Sequence, residues 1–175
     1  MKKIIFLLSV LSVFAVAEVS AAIPNSTFFV GGKTGYKKFE IKNTSSDTVF
    51  SYSGVNYALS GGVRGEYIRA VIDYTLQKEF QGSKSSDTKV DYSSYTLAVE
   101  GFKSFDLLFV SGGVHAENVS LSASGADLPS GFIYGVNAAA GIFFGRVSVE
   151  FNYNLSLTTM EKNDLKYQSA NYQGI

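Results

Sequence analysis

His115 is the only histidine of the chain, and histidine is the side chain whose charge changes nearest neutral pH. Nucleophilic acyl transfer sets such a group beside a Ser and an orienting carboxylate. Ser111, Glu117 and Ser120 lie close to it in sequence. Serine is abundant throughout this chain, so such neighbours also arise by chance. The competing reading is a hydrogen-bonding His on a polar strand face, and it is the one adopted: no catalytic residue is assigned and no enzyme is expected. With one His and no Cys, a His/Cys metal site has too few ligands, and no cofactor is expected.

The remaining charges that fall on polar strand positions are Lys33, Arg64, Arg69, Asp73, Glu100, Glu117, Arg146 and Glu150. Together with His115 they form a set of nearly balanced sign. Such a set stays charged away from water only if its members pair. Gly-rich segments precede three of them: Val30-Gly31-Gly32-Lys33, Ser60-Gly61-Gly62-Val63-Arg64 and Ser111-Gly112-Gly113-Val114-His115. A phosphate cradle needs GxxxxGK[ST] opening a helix, which these segments lack. Glycine on a strand instead permits close approach of a neighbouring strand or a large side chain.

The elements that carry these residues are strands. In 146–157, Val147, Val149, Phe151, Tyr153, Leu155 and Leu157 alternate without error against Arg146, Ser148, Glu150, Asn152, Asn154 and Ser156. A period of two over this length is a strand. The same alternation predicts eight strands: 27–36, 55–64, 68–80, 92–102, 107–117, 131–142, 146–158 and 167–175. Three connections are short, and four (37–54, 81–91, 118–130 and 159–166) are long and polar. Most of these strands run ten residues or more, where globular strands average about 5–6 and a bilayer-spanning strand needs about 9–11. A spanning sheet must close to satisfy its backbone. The expectation is therefore all-β: an eight-stranded antiparallel up-and-down transmembrane β-barrel. Its apolar outer faces carry Tyr57, Tyr74, Phe80, Tyr95, Phe132, Tyr134 and Tyr153 as interfacial aromatics. At eight strands the lumen is just wide enough to fill with side chains, so the charges above predict an ion-paired, plugged interior.

Composition agrees. The 175 residues include 17 Gly, 11 Tyr and 14 Phe but only 2 Pro, with 15 basic and 15 acidic side chains. Zero net charge disfavours nucleic acid, and the absence of Cys rules out disulfides. Lys2-Lys3, the apolar run Ile4–Ala17 and Val19-Ser20-Ala21 read as a secretory signal peptide cleaved after Ala21. Residues 22–175 are then the barrel domain. Cleavage removes Lys2, Lys3 and Glu18 and leaves 13 basic and 14 acidic residues.

On the signal peptide, on Thr27-Phe28-Phe29-Val30-Gly31-Gly32-Lys33, on the Gly-Gly-Val-Arg strand and on Arg146–Leu157, the chain resembles the small outer-membrane β-barrel proteins of the opacity and OmpX type. The resemblance spans the mature chain as a pattern and not as a diagnostic motif. It implies insertion into the bacterial outer membrane and contact with outer-membrane lipid. Periplasmic turns and exposed loops follow from it, as do roles in adhesion, host contact or envelope integrity. A host or surface ligand would then meet loops 37–54, 81–91, 118–130 and 159–166. Such barrels end in an aromatic residue that the barrel assembly machinery reads. Here the last strand alternates poorly and ends Tyr172-Gln173-Gly174-Ile175, so a truncated or an atypical closing strand is expected. Two alternatives stay open. One is a soluble, lipocalin-like exported barrel binding an apolar ligand, although that group carries a Gly-x-Trp and usually disulfides, and this chain has neither Trp nor Cys. The other is a barrel enzyme acting on lipid.

Overall fold

The computed structural model describes residues 17–20, 26–45, 49–82, 89–123, 128–162 and 165–174. They form one antiparallel sheet of ten strands. The short β1 (Ala17–Ser20) is followed by β2 (Thr27–Asn43), β3 (Val49–Arg64), β4 (Ile68–Gly82) and β5 (Val90–Phe105). Then come β6 (Leu108–Ser122), β7 (Gly131–Phe144), β8 (Val147–Ser156), β9 (Met160–Lys162) and β10 (Leu165–Gly174). From β2 to β8 each strand pairs with the next in the chain. β10 then pairs with β2, from Leu165↔Asn43 to Gly174↔Thr34, so the sheet curls back onto its own first long strand.

β8 and β9 lie on the same side of β10, at Ala170–Gly174 and Leu165–Tyr167 respectively. They are two pieces of one path, broken at 157–159. At the break the Leu157 and Thr158 amides both donate to the Tyr134 carbonyl, two residues opposing one as in a β-bulge. Two tight turns, at Asp106-Leu107 and Gly145-Arg146, join β5 to β6 and β7 to β8. Each has a residue at positive φ, Asp106 at 52° and Gly145 at 66°, as two-residue hairpin loops require.

Most strands are longer than the alternation predicts, and the long connections are correspondingly shorter. Of the expected loop 37–54, residues 37–43 and 49–54 are strand, and much of 118–130 belongs to β6. The cause is a change of face. In β2, Phe28, Val30 and Tyr36 face outward, whereas from Lys37 onward Phe39 and Ile41 face inward and Lys38, Glu40 and Lys42 outward. Alternation persists, but the apolar stripe moves to the other side of the sheet. β5 and β6 do the same: Val90, Tyr92, Val119 and Leu121 are buried inside, with Asp91, Ser120 and Ser122 outside.

The signal-peptide expectation falls largely on residues outside the described set. Its described part, β1, pairs with Thr27–Val30 of β2.

Candidate functional site: the lumen

Inward positions of the long strands stack in three tiers. At the end carrying the long loops is an apolar cap of Phe39, Ile41, Tyr52, Val90, Tyr92, Val119, Leu121, Ile133, Met160 and Tyr167. Phe39 stacks on Tyr52 at 5.1 Å and on Tyr92 at 6.2 Å, and meets Tyr167 at 5.4 Å. Met160 is carried into this cap by β9. At the end carrying the tight turns, Phe102, Phe109 and Phe143 cluster with ring centroids 4.6–6.4 Å apart.

Between these apolar ends lies the charged tier. Lys37, only 1% exposed, donates to Glu117 at 2.9 Å and to the Tyr92 hydroxyl, which itself donates to Glu117. Lys33 pairs with Asp73 at 2.7 Å. Arg69 is the hub. Its Nε and Nη2 donate to one Glu100 oxygen at 2.7 and 2.5 Å, Nη1 and Nη2 reach Glu150, and Nη2 also donates to Ser111 at 2.9 Å. Asn137 donates to the other Glu100 oxygen. Five strands, β4 to β8, are thus tied together through charge-assisted bonds, the strong class of hydrogen bond.

Seven of the nine residues expected in the charge network are buried: Lys33, Arg69, Asp73, Glu100, His115, Glu117 and Glu150. Arg64 is half-buried, with its guanidinium over Phe143 at 4.5 Å and Phe102 at 5.4 Å. Arg146 is a correction: it sits exposed in the Gly145-Arg146 turn, beyond the last inward position of β8. Lys37, Tyr92 and Asn137 were not foreseen. Lys37 shares the parity of Lys33 and was within reach of the same rule carried four residues further.

His115 is buried against Gly135, where an added Cβ would fall 2.5 Å from the ring. Its Nδ1 has no hydrogen-bond partner among the described residues. The neighbours that suggested acyl transfer are engaged elsewhere: Ser120 is exposed on the outer face, Ser111 accepts from Arg69, and Glu117 is held by Lys37 and Tyr92. Among the described residues no group of three or more His, Asp or Glu is placed to hold a metal ion.

Of the expected interfacial aromatics, Tyr57, Tyr95, Phe132 and Tyr134 are 55–64% exposed on the outer face. Tyr74 and Tyr153 are half-buried, and Tyr74 stacks on Tyr95 at 4.6 Å. Phe80 lies in β4 opposite Val90, and its side chain is outside the described set. Strand pairing places Tyr74, Tyr95, Asn118 and Phe132 in one row across β4 to β7.

No protein-family model matches the chain, and no curated protein does. Among solved structures it is similar to the crystal structure of Neisserial surface protein A (NspA), at 16% identity, over 84% of this chain and 94% of that one, with a TM-score of 0.48. It is also similar to Ail, the attachment invasion locus protein of Yersinia pestis, at 14% identity, over 87% of this chain and 98% of that one, with a TM-score of 0.38. A second structure of Ail, in complex with the heparin analogue sucrose octasulfate, gives 14% identity over 83% and 96% and a TM-score of 0.37.

Proposed function

We propose that this chain is an outer-membrane β-barrel protein of the opacity/OmpX-like kind, exported by a signal peptide cleaved after Ala21. Its lumen is plugged, and its work is done by surface loops in adhesion, host contact or envelope integrity. Counting β8 and β9 as one interrupted strand, and setting β1 aside with the leader, the spanning barrel has eight strands. Outer-membrane lipid surrounds it, and the barrel assembly machinery inserts it. The ligand contacts belong to the connections 44–48, 83–89, 123–130 and 163–164.

The observation that carries this reading is the outward stripe. Val55, Tyr57, Leu59, Ile72, Leu76, Leu97, Val99, Val114, Val136 and Phe151 are all exposed on the outside of a sheet whose inside holds Lys33, Arg69, Asp73, Glu100 and Glu150. A continuous apolar exterior of this extent is unusual for a soluble monomer, and it is what a lipid-facing barrel requires. The soluble lipocalin-like alternative needs the inverse arrangement along this part of the strands, with Leu97, Val114 and Phe151 inside and the ion pairs in water. The apolar caps at both ends of the charged tier support a barrel that does not conduct.

Cell fractionation with gel mobility before and after boiling tests the placement. We expect an outer-membrane fraction, a heat-dependent shift and a mature chain beginning at Ala22. A soluble periplasmic protein without a heat-dependent shift overturns the reading. A large steady conductance in planar bilayers overturns the plugged lumen alone.

A further inference from the structure

The outer wall of β5, β6 and β7 holds a depression of about 460 Å³ lined by Leu97, Val99, Val114, Ala116, Tyr134, Val136 and Leu157, with Thr158 at its end. Its shape follows from the strand pairing. Leu97, Ala116 and Tyr134 form one outward row and Val99, Val114 and Val136 the next. In the first row a small alanine lies between two large side chains, so Ala116 is a floor and Leu97 and Tyr134 are walls. The bulge after Ser156 turns Leu157 and Thr158 out beside Tyr134, where the Thr158 hydroxyl accepts from the Tyr134 amide at 2.8 Å, closing the groove at that end. Gly135 keeps the wall thin: an added Cβ would meet the Leu155 carbonyl at 2.2 Å and the His115 ring.

The groove's chemistry selects its occupant. No outward-facing lining residue carries a charge; His115, which faces the lumen, contributes only from behind the wall. Directly toward the loop end the groove meets Tyr95, Asn118 and Phe132, all exposed, so an apolar channel opens onto a row with an amide and a phenol. Among the described residues, Lys38, Lys42 and Lys166 face outward on β2 and β10, on another part of the wall, and Lys103, outward on β5, stands beyond Val99 toward the tight turn with its ammonium over the Tyr67 ring, 5.0 Å from the centroid. An anionic headgroup therefore has no partner at this groove, whereas a hydrocarbon chain matches every wall of it.

The geometry points to a binding site for a single acyl chain of a membrane lipid, held along Ala116 with its polar end at the Tyr95–Asn118–Phe132 row. Recognition is of the chain and not of headgroup charge. The site rests on the membrane placement proposed above, because only there does hydrocarbon face the groove.

The absence of native Trp allows a direct test. The full chain is refolded into phosphatidylcholine vesicles containing an increasing share of lipid brominated on its acyl chains, with a single Trp placed by Leu157→Trp at the groove or by Leu59→Trp on β3. Bromine quenches Trp that it touches. We expect Leu157→Trp to be quenched at a lower share of brominated lipid than Leu59→Trp. Filling the floor with Ala116→Phe, or separately with Val114→Phe, should abolish the difference while the heat-dependent gel shift persists. Equal quenching at both positions overturns the site but leaves the membrane barrel intact. Quenching at neither position overturns the membrane placement and the site with it. A difference seen only with brominated phosphatidylglycerol overturns chain recognition in favour of headgroup recognition.

Discussion

The two ends of β2 are built on the same pleat and solve opposite problems. From Thr27 to Tyr36 the outward residues include the apolar Phe28, Val30 and Tyr36 and the inward ones include Lys33; from Lys37 to Asn43 the inward residues Phe39 and Ile41 are buried and Lys38, Glu40 and Lys42 face out. The crossover falls at the Lys37–Glu117 pair. On the reading proposed above, the turn-side part stands in lipid and can leave its polar groups only in the lumen. The loop-side part stands in water and hides its apolar groups there instead. One closed sheet serves both solvents because successive side chains point to opposite faces. Which face is apolar depends on what surrounds that height of the barrel. Ion pairs sit inside the part with the apolar exterior, and an aromatic core of the ordinary soluble kind fills the other.

The strongest way to break this contrast is to remove the hub of the charged tier. Arg69→Leu leaves Glu100 and Glu150 buried without their cation, and we expect a loss of about 3–5 kcal/mol in urea unfolding of the barrel in bilayers. Adding Glu100→Gln and Glu150→Gln should recover part of it; no recovery would show that Arg69 acts by packing on Phe102 and Phe109, whose ring centroids each lie 5.9 Å from its guanidinium. Next comes a charge on each outer surface. Leu59→Arg, on the apolar exterior of β3, should cost about 2–4 kcal/mol in a bilayer, read by the same unfolding curve.

Gly135→Ala should cost about 1–3 kcal/mol through overpacking against Leu155 and the His115 ring. The double change Gly135→Ala with His115→Ala should remain destabilised, because the clash with the Leu155 carbonyl persists. The smallest expected effect is the informative control. Ser120→Arg, outward on the loop-side part of β6, should fall within about 0.5 kcal/mol of the parent. If Ser120→Arg costs as much as Leu59→Arg, the loop-side part is not in water and the contrast fails.

Much of the part with the apolar exterior was legible from alternation. The expected ranges 27–36, 55–64 and 92–102 all fall within observed strands, because a long uninterrupted outer apolar stripe is what period two reveals. The same criterion ended β2 at Tyr36, since a search for one continuous apolar face stops where the face changes. Lys37 is lost for that reason, and with it one of the three buried ion-pair groups among the described residues; Tyr92 falls inside the expected range 92–102, on its polar face, but carries no charge to mark it. Arg146 was gained falsely: parity assigns a face but does not say where a strand gives way to a turn.

Taken alone, the chain determines the β class, the order of its long strands and the near balance of inward charge. These are local properties, written in the period of apolar residues and in short connections such as the one expected at Lys103–Asp106, which the structure sets at Asp106-Leu107. Tertiary structure alone decided which charge meets which. Arg69 meets Glu100, 31 residues away, because register sets the two opposite each other on neighbouring strands, and it reaches Glu150, 81 residues away, only because the sheet curls until β4 faces β8 across the lumen. It also separated His115 from Ser120, whose opposite parity puts it on the outer side of the wall, and from Ser111, which faces the same lumen but is held by Arg69. The groove at Ala116 belongs to tertiary structure as well. A single small residue becomes a floor only when register sets Leu97 and Tyr134 on either side of it.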